Sequence, residues 1–295
     1  MFVPSHIFNY LAPAKVNLSL QIGKKRPDEY HELTSIVGFT EFGDSLAIKI
    51  SEKDELTLYG KFSTNIDTKT SENLVMKAVK ILREHNHDIP PLEIAIDKQI
   101  PVGGGLGGGS SDAATVFIAL NEIFNLNLSK NSLENMALEI GADIPVCLNR
   151  GFVVMRGFGD KITTISNILI SNYIVLVNPN CIVSTRKVFE EFEKNASEGN
   201  TELPKENHDF KQLLTGCNDL QETAIKIYPE IGLLLNTMKK LYPRDRKVGL
   251  SSIQMSGSGA SCFALFEDKK TADMFCRKIQ LAGYWSVSTK FMVNF

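Results

Sequence analysis

The sequence predicts an α+β fold in two domains, and three observations predict it. Short runs of alternating apolar and polar residues fill most of the first 60 positions. Helix-period stripes and antiparallel-looking strands interleave through the rest. The 295 residues, 43% of them hydrophobic and 22% charged, suffice for one large or two modest cores. The expected boundary falls near residue 165, giving segments 1–165 and 166–295.

The first strand is carried by "KVNLSLQI", where Val16, Leu18, Leu20 and Ile22 share one face and Lys15, Asn17, Ser19 and Gln21 the other. After the polar turn "KKRPDEYHE", three short strands are expected in "LTSIVGF", "SLAIKI" and "ELTLYG", separated by "EFGD" and "SEKD". "SENLVMKAVKILREH" shows a helical stripe with Ser71 as its expected N-cap, and "LEIAIDKQI" alternates again as a strand. "DAATVFIALNEIF" and "LENMALEI" read as helices, the second stopped by Gly141 as a C′ residue. "GFVVMRGFGD" and "YIVLVNP" are strands, and the polar stretch 195–209 is expected to be a mobile loop. The remainder alternates helix "PEIGLLLNTMKKL", strands "SIQM" and "SCFALF", helix "KTADMFCRKIQLAG" and strand "SVSTKFMV".

A net charge of −2 and a sequence pI near 6.2 argue against nucleic acid or an acidic membrane as the main partner. Any anionic ligand must be met by local chemistry. Five singly spaced cysteines without C-x-x-C argue against a disulfide framework or zinc cage and predict reduced core residues. Neither a leader-like start nor a membrane-length apolar run is apparent, so a cytoplasmic protein is expected.

Between strand and helix stands "PVGGGLGGGSSDAAT", residues 101–115, with six glycines. Composition alone would allow a linker. Its position argues for a cradle: a helix N-terminus presents unpaired N–H groups and partial positive charge, and glycines let the preceding backbone curl around a phosphate. Ser110, Ser111 and Asp112 stand where caps are expected. The Walker A pattern fails, because the run ends in Ser110 rather than Lys. Gly103, Gly105 and Gly108 satisfy G-x-G-x-x-G, but no acidic residue ends a second strand about 20 residues on, as a dinucleotide site requires.

The segment resembles the phosphate-binding loop of the galactokinase, homoserine kinase, mevalonate kinase and phosphomevalonate kinase (GHMP) superfamily. Its extended form is similar to the branch that acts on a cytidine diphosphate-linked methylerythritol in non-mevalonate isoprenoid synthesis. "APAKVNLSLQIGKKRPDEYHEL", "LEIGADIPVCL" and "MSGSGASCFALF" agree with that branch in order and spacing. The resemblance implies an N-terminal ribosomal-protein-S5-domain-2-like domain and a C-terminal ferredoxin-like domain. It implies ATP with Mg²⁺ as cofactors and direct phosphoryl transfer to a small-molecule alcohol.

By the same resemblance, Asp143 accepts the proton of the acceptor hydroxyl and Lys15 stabilises charge on the transferring group. Pro101, Val102, Gly103, Gly104, Gly105, Leu106, Gly107, Gly108, Gly109, Ser110 and Ser111 line the ATP phosphates, with Asn73 and Lys98 near adenine and ribose. Tyr30 and Phe189 sandwich the cytosine, His31 reads its polar edge, and Asn17, Thr185, Gly257 and Gly259 hold the rest of the substrate. Read without the resemblance, Asp143 is a capping or turn aspartate, Lys15 an exposed strand lysine, Tyr30 and His31 part of a turn, Phe189 a core residue and "SGSGAS" a hairpin loop. Asp112 either caps the helix or helps hold Mg²⁺ through water, and direct metal ligands stay unassigned. His85 and His87 read as incidental. The competing readings are a mevalonate- or homoserine-type kinase, an inactive ATP-binding relative, and an interaction protein with a glycine linker. A monomer or weak homodimer is expected.

Overall fold

Ten strands and eight helices are found among the residues that the computed structural model describes: 6–25, 31–64, 73–85, 88–165, 173–195, 216–243 and 253–292. They divide into two compact units that interleave along the chain. One comprises Met1–Ala14, Phe42–Val102 and Gly107–Asn149, and the other Lys15–Glu41, Gly103–Leu106 and Arg150–Phe295. The expected cut near 165 is therefore not where these units part; strands β1 (Phe8–Lys25) and β2 (His31–Ile50) each contribute to both.

In the first unit, Ser45 to Ile50 of β2 pairs antiparallel with β4 (Leu92–Asp97), and β4 pairs in parallel with β3 (Glu55–Tyr59). Alternation puts Leu46, Ile48, Leu92, Ile94 and Ile96 into the core. Helix α1 (Leu74–Glu84) packs against α2 (Gly108–Ile123), and both α2 and α3 (Lys130–Leu138) meet the short α4 (Ile144–Cys147). Helix α2 is apolar on nearly every side, which suits a helix whose Ala113, Ala114, Val116, Phe117, Ala119 and Leu120 are all buried.

In the second unit, Leu33 to Gly38 of β2 pairs antiparallel with β5 (Phe152–Gly157), which pairs antiparallel with β6 (Lys161–Ile165). A separate antiparallel sheet has the order β10 (Trp285–Lys290), β7 (Tyr173–Asn178), β9 (Cys262–Phe266), β8 (Ile253–Met255). Helices α5 (Thr185–Asn195), α6 (Gln221–Ile227), α7 (Pro229–Leu241) and α8 (Lys269–Leu281) complete it. Helix α8 buries Ala272, Phe275, Cys276 and Ile279, an i, i+3, i+4, i+7 stripe, and Asp268 caps it by accepting from the Thr271 N–H at 2.9 Å.

Several expectations need correction. "EFGD" is no turn: β2 runs through it without a break, and Gly43 is needed there because a Cβ would stand 2.1 Å from the Ala12 carbonyl oxygen of β1. Strand β1 begins at Phe8 rather than Lys15. The cap of α1 is Asn73, whose Oδ1 accepts from the Val75 N–H at 2.9 Å; Ser71 lies outside the described residues. Helix α2 starts at Gly108 with Gly107 as N-cap, so Ser110, Ser111 and Asp112 sit inside it and cap nothing. Helix α3 ends at Leu138 and is capped by Glu139, before Gly141. Of the five cysteines, all free, Cys217 is exposed and Cys181 half-buried rather than core. The stretch 195–209 lies almost wholly outside the described residues.

Candidate active site

The glycine stretch is a built backbone feature, not a linker. Four consecutive carbonyls are captured: Gly103 O by the Val183 N–H at 3.4 Å, Gly104 O by the Ser261 N–H at 2.9 Å, Gly105 O by the Ser256 hydroxyl at 3.0 Å, and Leu106 O by the Lys15 N–H at 2.9 Å. Gly103, Gly105 and Gly107 have φ of 61°, 73° and 66°, so left-handed residues alternate along the loop. Alternation of this kind turns successive N–H groups into one concavity, an anion nest. A Cβ on Gly105 would lie 2.3 Å from the Ser256 carbonyl oxygen, which leaves no room for any other residue.

The stretch then runs directly into α2, whose N-cap Gly107 has no side chain to satisfy the first-turn N–H groups of Gly108, Gly109 and Ser110. These donors and the helix dipole favour negative charge at this end. The Ser111 hydroxyl is committed to the Pro13 carbonyl at 2.7 Å, which fixes the helix start to β1 within the first unit. Pro101 is buried and Val102 half-buried.

Behind this helix start lies a buried ionic cluster. The Lys98 ammonium pairs with both Asp44 and Asp112. Asp44 Oδ1 also accepts from the Gln99 and Ile100 N–H groups at 2.6 and 2.8 Å, the two residues that lead into Pro101. Burial by itself would lower the Lys98 pKa, but the charges of Asp112 and Asp44 reverse the sign and hold it above its ordinary value. Burial pushes the Asp112 carboxyl up to about 7, against the pull of Lys98. Asp112 thus does not cap the helix; its Oδ2 serves Lys98, and its Oδ1 is buried without a partner among the described residues. The Lys98 side chain is committed to carboxylates, and Asn73 spends its amide oxygen on capping α1.

Asp143 belongs to the first unit and stands at the start of α4. Its side chain makes no capping bond to that helix and is exposed, so the plain capping role is not what it does. Lys15 belongs to the second unit and is 5% exposed, buried within β1 rather than lying on an open strand face.

The second unit also gathers most of the expected substrate residues. Asn17, 2% exposed, donates through Nδ2 to the Ser35 hydroxyl at 2.7 Å, while its Oδ1 is buried with no partner. Its backbone N–H donates to the Ser256 hydroxyl at 3.0 Å. Gly257 and Gly259, with φ of 58° and 91°, shape the turn between β8 and β9, which is indeed a hairpin connection. The Thr185 and Ser258 hydroxyls are 2.8 Å apart.

The His31 ring centroid lies 5.8 Å from that of Phe189 at an interplanar angle of 32°. His31 Nε2 meets Glu193 at 2.9 Å and Nδ1 meets the Gly23 carbonyl at 3.2 Å. Both partners are acceptors, so a neutral imidazole donates to one of them at a time, and neither nitrogen is left over as a free edge. The hydrogen bond from His31, with help from Lys25, holds Glu193 below the usual carboxylate range. Tyr30 lies outside the described residues.

Sequence reading missed Asp44, which it placed in a turn, and Asn218 and Glu193, which carry no motif of their own. Among the described residues no three His, Cys, Asp or Glu side chains converge as a metal site, and the one buried carboxylate pair is filled by Lys98. A protein cage for Mg²⁺ therefore does not fit these residues.

A strand that feeds an alternating glycine nest into an uncapped helix start is an arrangement suited to an anion such as a phosphate. Two family profiles match the chain: the GHMP kinases N-terminal domain over residues 73–151 and the GHMP kinases C-terminal domain over 192–284. The chain is 33% identical over 291 residues to a 4-diphosphocytidyl-2-C-methyl-D-erythritol kinase of Rhizobium meliloti, covering 96% of this chain and 93% of that protein. It is 35% identical to the enzyme of the same name from Mesorhizobium japonicum, over 91% of this chain and 90% of that one. A crystal structure of 4-(cytidine 5'-diphospho)-2C-methyl-D-erythritol kinase superposes with a TM-score of 0.77 at 27% identity, covering 97% of this chain and all of that one. Homoserine kinase from Cytophaga hutchinsonii shares the fold, with a TM-score of 0.68 at 16% identity over 99% of this chain and 98% of that one. The chain belongs to the GHMP kinase family.

Proposed function

We propose that this protein transfers the γ-phosphoryl group of ATP to the 2-hydroxyl of 4-diphosphocytidyl-2-C-methyl-D-erythritol, a step of non-mevalonate isoprenoid precursor synthesis. The observation that carries the reading is the second unit's set of Asn17, Thr185, His31 and Phe189, polar and aromatic groups suited to a nucleotide-linked polyol, in a chain 33–35% identical to kinases named for that substrate.

Phosphoryl transfer needs the donor phosphates held, the hydroxyl aimed in line, and the spreading charge stabilised. The nest at Gly103 to Gly107 and the N–H groups of Gly108 to Ser110 meet the first need. Asp143 accepts the proton of the attacking hydroxyl, and Lys15 supplies positive charge to the transferring group. Mg²⁺ bound with ATP would neutralise charge on its phosphates. Phe189 packs on one face of the cytosine with Tyr30 on the other. His31, its ring fixed by Glu193, forms the polar side of that base site. Asn17, Thr185 and the Gly257–Gly259 turn receive the polyol. Lys98 and Asn73 act at the nucleotide end, Lys98 through the order it gives to the loop.

In domain terms, the helix start after the glycine loop lies in the first unit, and Asn17, His31, Thr185, Phe189, Gly257 and Gly259 lie in the second. No helix among the described residues is long and apolar enough to cross a membrane. We place the protein in the cytoplasm, as a monomer or weak homodimer, without nucleic acid or membrane partners.

The test is transfer of labelled phosphate from Mg-ATP to the cytidyl substrate, run beside mevalonate and homoserine. Product with the cytidyl substrate alone is expected; product with another alcohol alone overturns the substrate assignment. Asp143→Ala should lower kcat by on the order of 10²-fold or more with ATP affinity retained. Undiminished turnover in that variant removes Asp143 from the mechanism.

A further inference from the structure

Asn218, which no motif identifies, lies in the second unit just before α6 and is 4% exposed. Its Nδ2 donates both of its protons, to the Met255 and Gly257 carbonyls, each at 2.8 Å. Its Oδ1 accepts from the Leu220 N–H at 3.0 Å, which removes any freedom of the amide to flip. The segment itself is fastened to β1: the Leu20 N–H donates to Cys217 O at 3.1 Å and the Asp219 N–H to Leu20 O at 2.9 Å. One rigidly held amide therefore sets two of the peptide groups around the turn that joins β8 to β9.

A trans peptide points its N–H opposite to its carbonyl. With the Met255 carbonyl drawn to Asn218, the Ser256 N–H faces away from it and is found on the Ser261 carbonyl at 2.9 Å. With the Gly257 carbonyl drawn the same way, the Ser258 N–H faces away too, but it meets no acceptor among the described residues. Next to it along the chain, a Cβ on Gly257 would lie 3.4 Å from Asn17 Oδ1, the buried acceptor that also lacks a partner. An N–H of a buried residue with no acceptor among the described residues, and a buried acceptor without a donor against the neighbouring glycine, cost stability unless a ligand fills both. A hydroxyl does so, because it accepts one hydrogen bond and donates another.

We propose that Asn218 is a positioning residue: by holding the Met255 and Gly257 carbonyls it aims the Ser258 N–H beside Asn17 Oδ1, and this donor–acceptor pair receives a hydroxyl group of the phosphoryl acceptor. The inference rests on the polyol-kinase reading above and adds the Ser258 backbone and Asn218 to that site. Asn218→Asp keeps the size and the oxygen that serves Leu220 but loses both donated bonds. Asn218→Ala loses all three.

The experiment measures acceptor KM, kcat and ATP dissociation constant for wild type, Asn218→Asp and Asn218→Ala, with folding checked by circular dichroism. Both variants should raise acceptor KM by about tenfold or more and leave ATP affinity within about threefold. Equal losses for both substrates would mark Asn218 as merely structural, and unchanged acceptor KM in folded variants would overturn the proposal. Wild type carries its own arm, which also covers variants that do not fold. In ¹⁵N-labelled protein the Ser258 amide should shift on acceptor titration, and a silent Ser258 amide at saturating acceptor rejects the inference. Wild type that fails to phosphorylate the cytidyl substrate at all would instead sink the functional reading, so the two failures are told apart.

Discussion

The two glycine turns of this protein, Gly103–Gly109 and Ser256–Ser261, share left-handed glycines and captured carbonyls but lead into different elements. In each, left-handed glycines alternate with other residues, and carbonyls are held by hydrogen bonds from elsewhere in the second unit. The first turn runs on into a 16-residue helix, whose uncapped start adds more donors and a positive dipole end. The second joins two strands and is held by neutral amide and hydroxyl groups, with an unpartnered oxygen of Asn17 close by. Donors alone suit a phosphate; a donor beside an acceptor suits a hydroxyl. Glycine content by itself distinguishes neither, and the element into which each turn leads makes the difference.

The sharpest way to break this comparison is Gly105→Ala. The new methyl would fall 2.3 Å from the Ser256 carbonyl and 2.8 Å from that of Gly259, both backbone atoms, on a residue with φ of 73°. Loss of several kcal/mol is expected, read as a fall in thermal midpoint on the order of 10 °C or as failure to fold. A well-folded Gly105→Ala would mean the first loop is not stitched as described.

A smaller effect should follow from Asp112→Asn, through pH. Asp112 faces Lys98 and Asp44, and burial raises its carboxyl to about 7, well above the ordinary 3.8. The folded protein keeps this proton where the unfolded chain has released it. The resulting stability is full below about pH 4 and is lost as pH rises through 7. Wild type should thus lose more thermal stability than Asp112→Asn between pH 5 and 8. Parallel pH profiles would show that the carboxyl is ionised throughout.

The smallest effect is expected for Gly109→Ala. Gly109 is helical, and a Cβ there would meet only Leu74 Cδ1 at 3.7 Å, so a gain of up to about 1 kcal/mol is predicted, or a midpoint raised by a few degrees. A clear loss would place Gly109 with Gly105 as a position that only glycine can fill. Two glycines four residues apart should therefore differ in sign.

Much of this was legible in the chain itself. Period-2 and helical patterns located β4, β7, β9, α7 and α8, because each buries one regular face or is buried on both sides. The glycine run was legible as a cradle because it sat between a strand and a helix, and the order of four motifs pointed to the family. The boundary of α2 was not legible: its cap is a left-handed glycine, and side-chain capping rules drew attention to Ser110–Asp112 instead. "EFGD" looked like a turn for a similar reason, since a strand glycine that admits a neighbouring backbone has the same letters as a turn glycine.

The sequence by itself determined the alternation of elements and the family, and it nominated Lys15, Asn17, His31, Asp143 and the glycines for the site. Only the tertiary structure decided their partners. Asp44 and Asp112 are 68 residues apart in number yet share Lys98, and Asn218 fixes a turn at Met255–Gly257. Local patterns report which face of an element is apolar, whereas pairing of buried charges and amides depends on backbone segments brought together from distant parts of the chain. That is why the Lys98 cluster and the Asn218 clamp appear in the fold and leave no trace in the spacing of the residues.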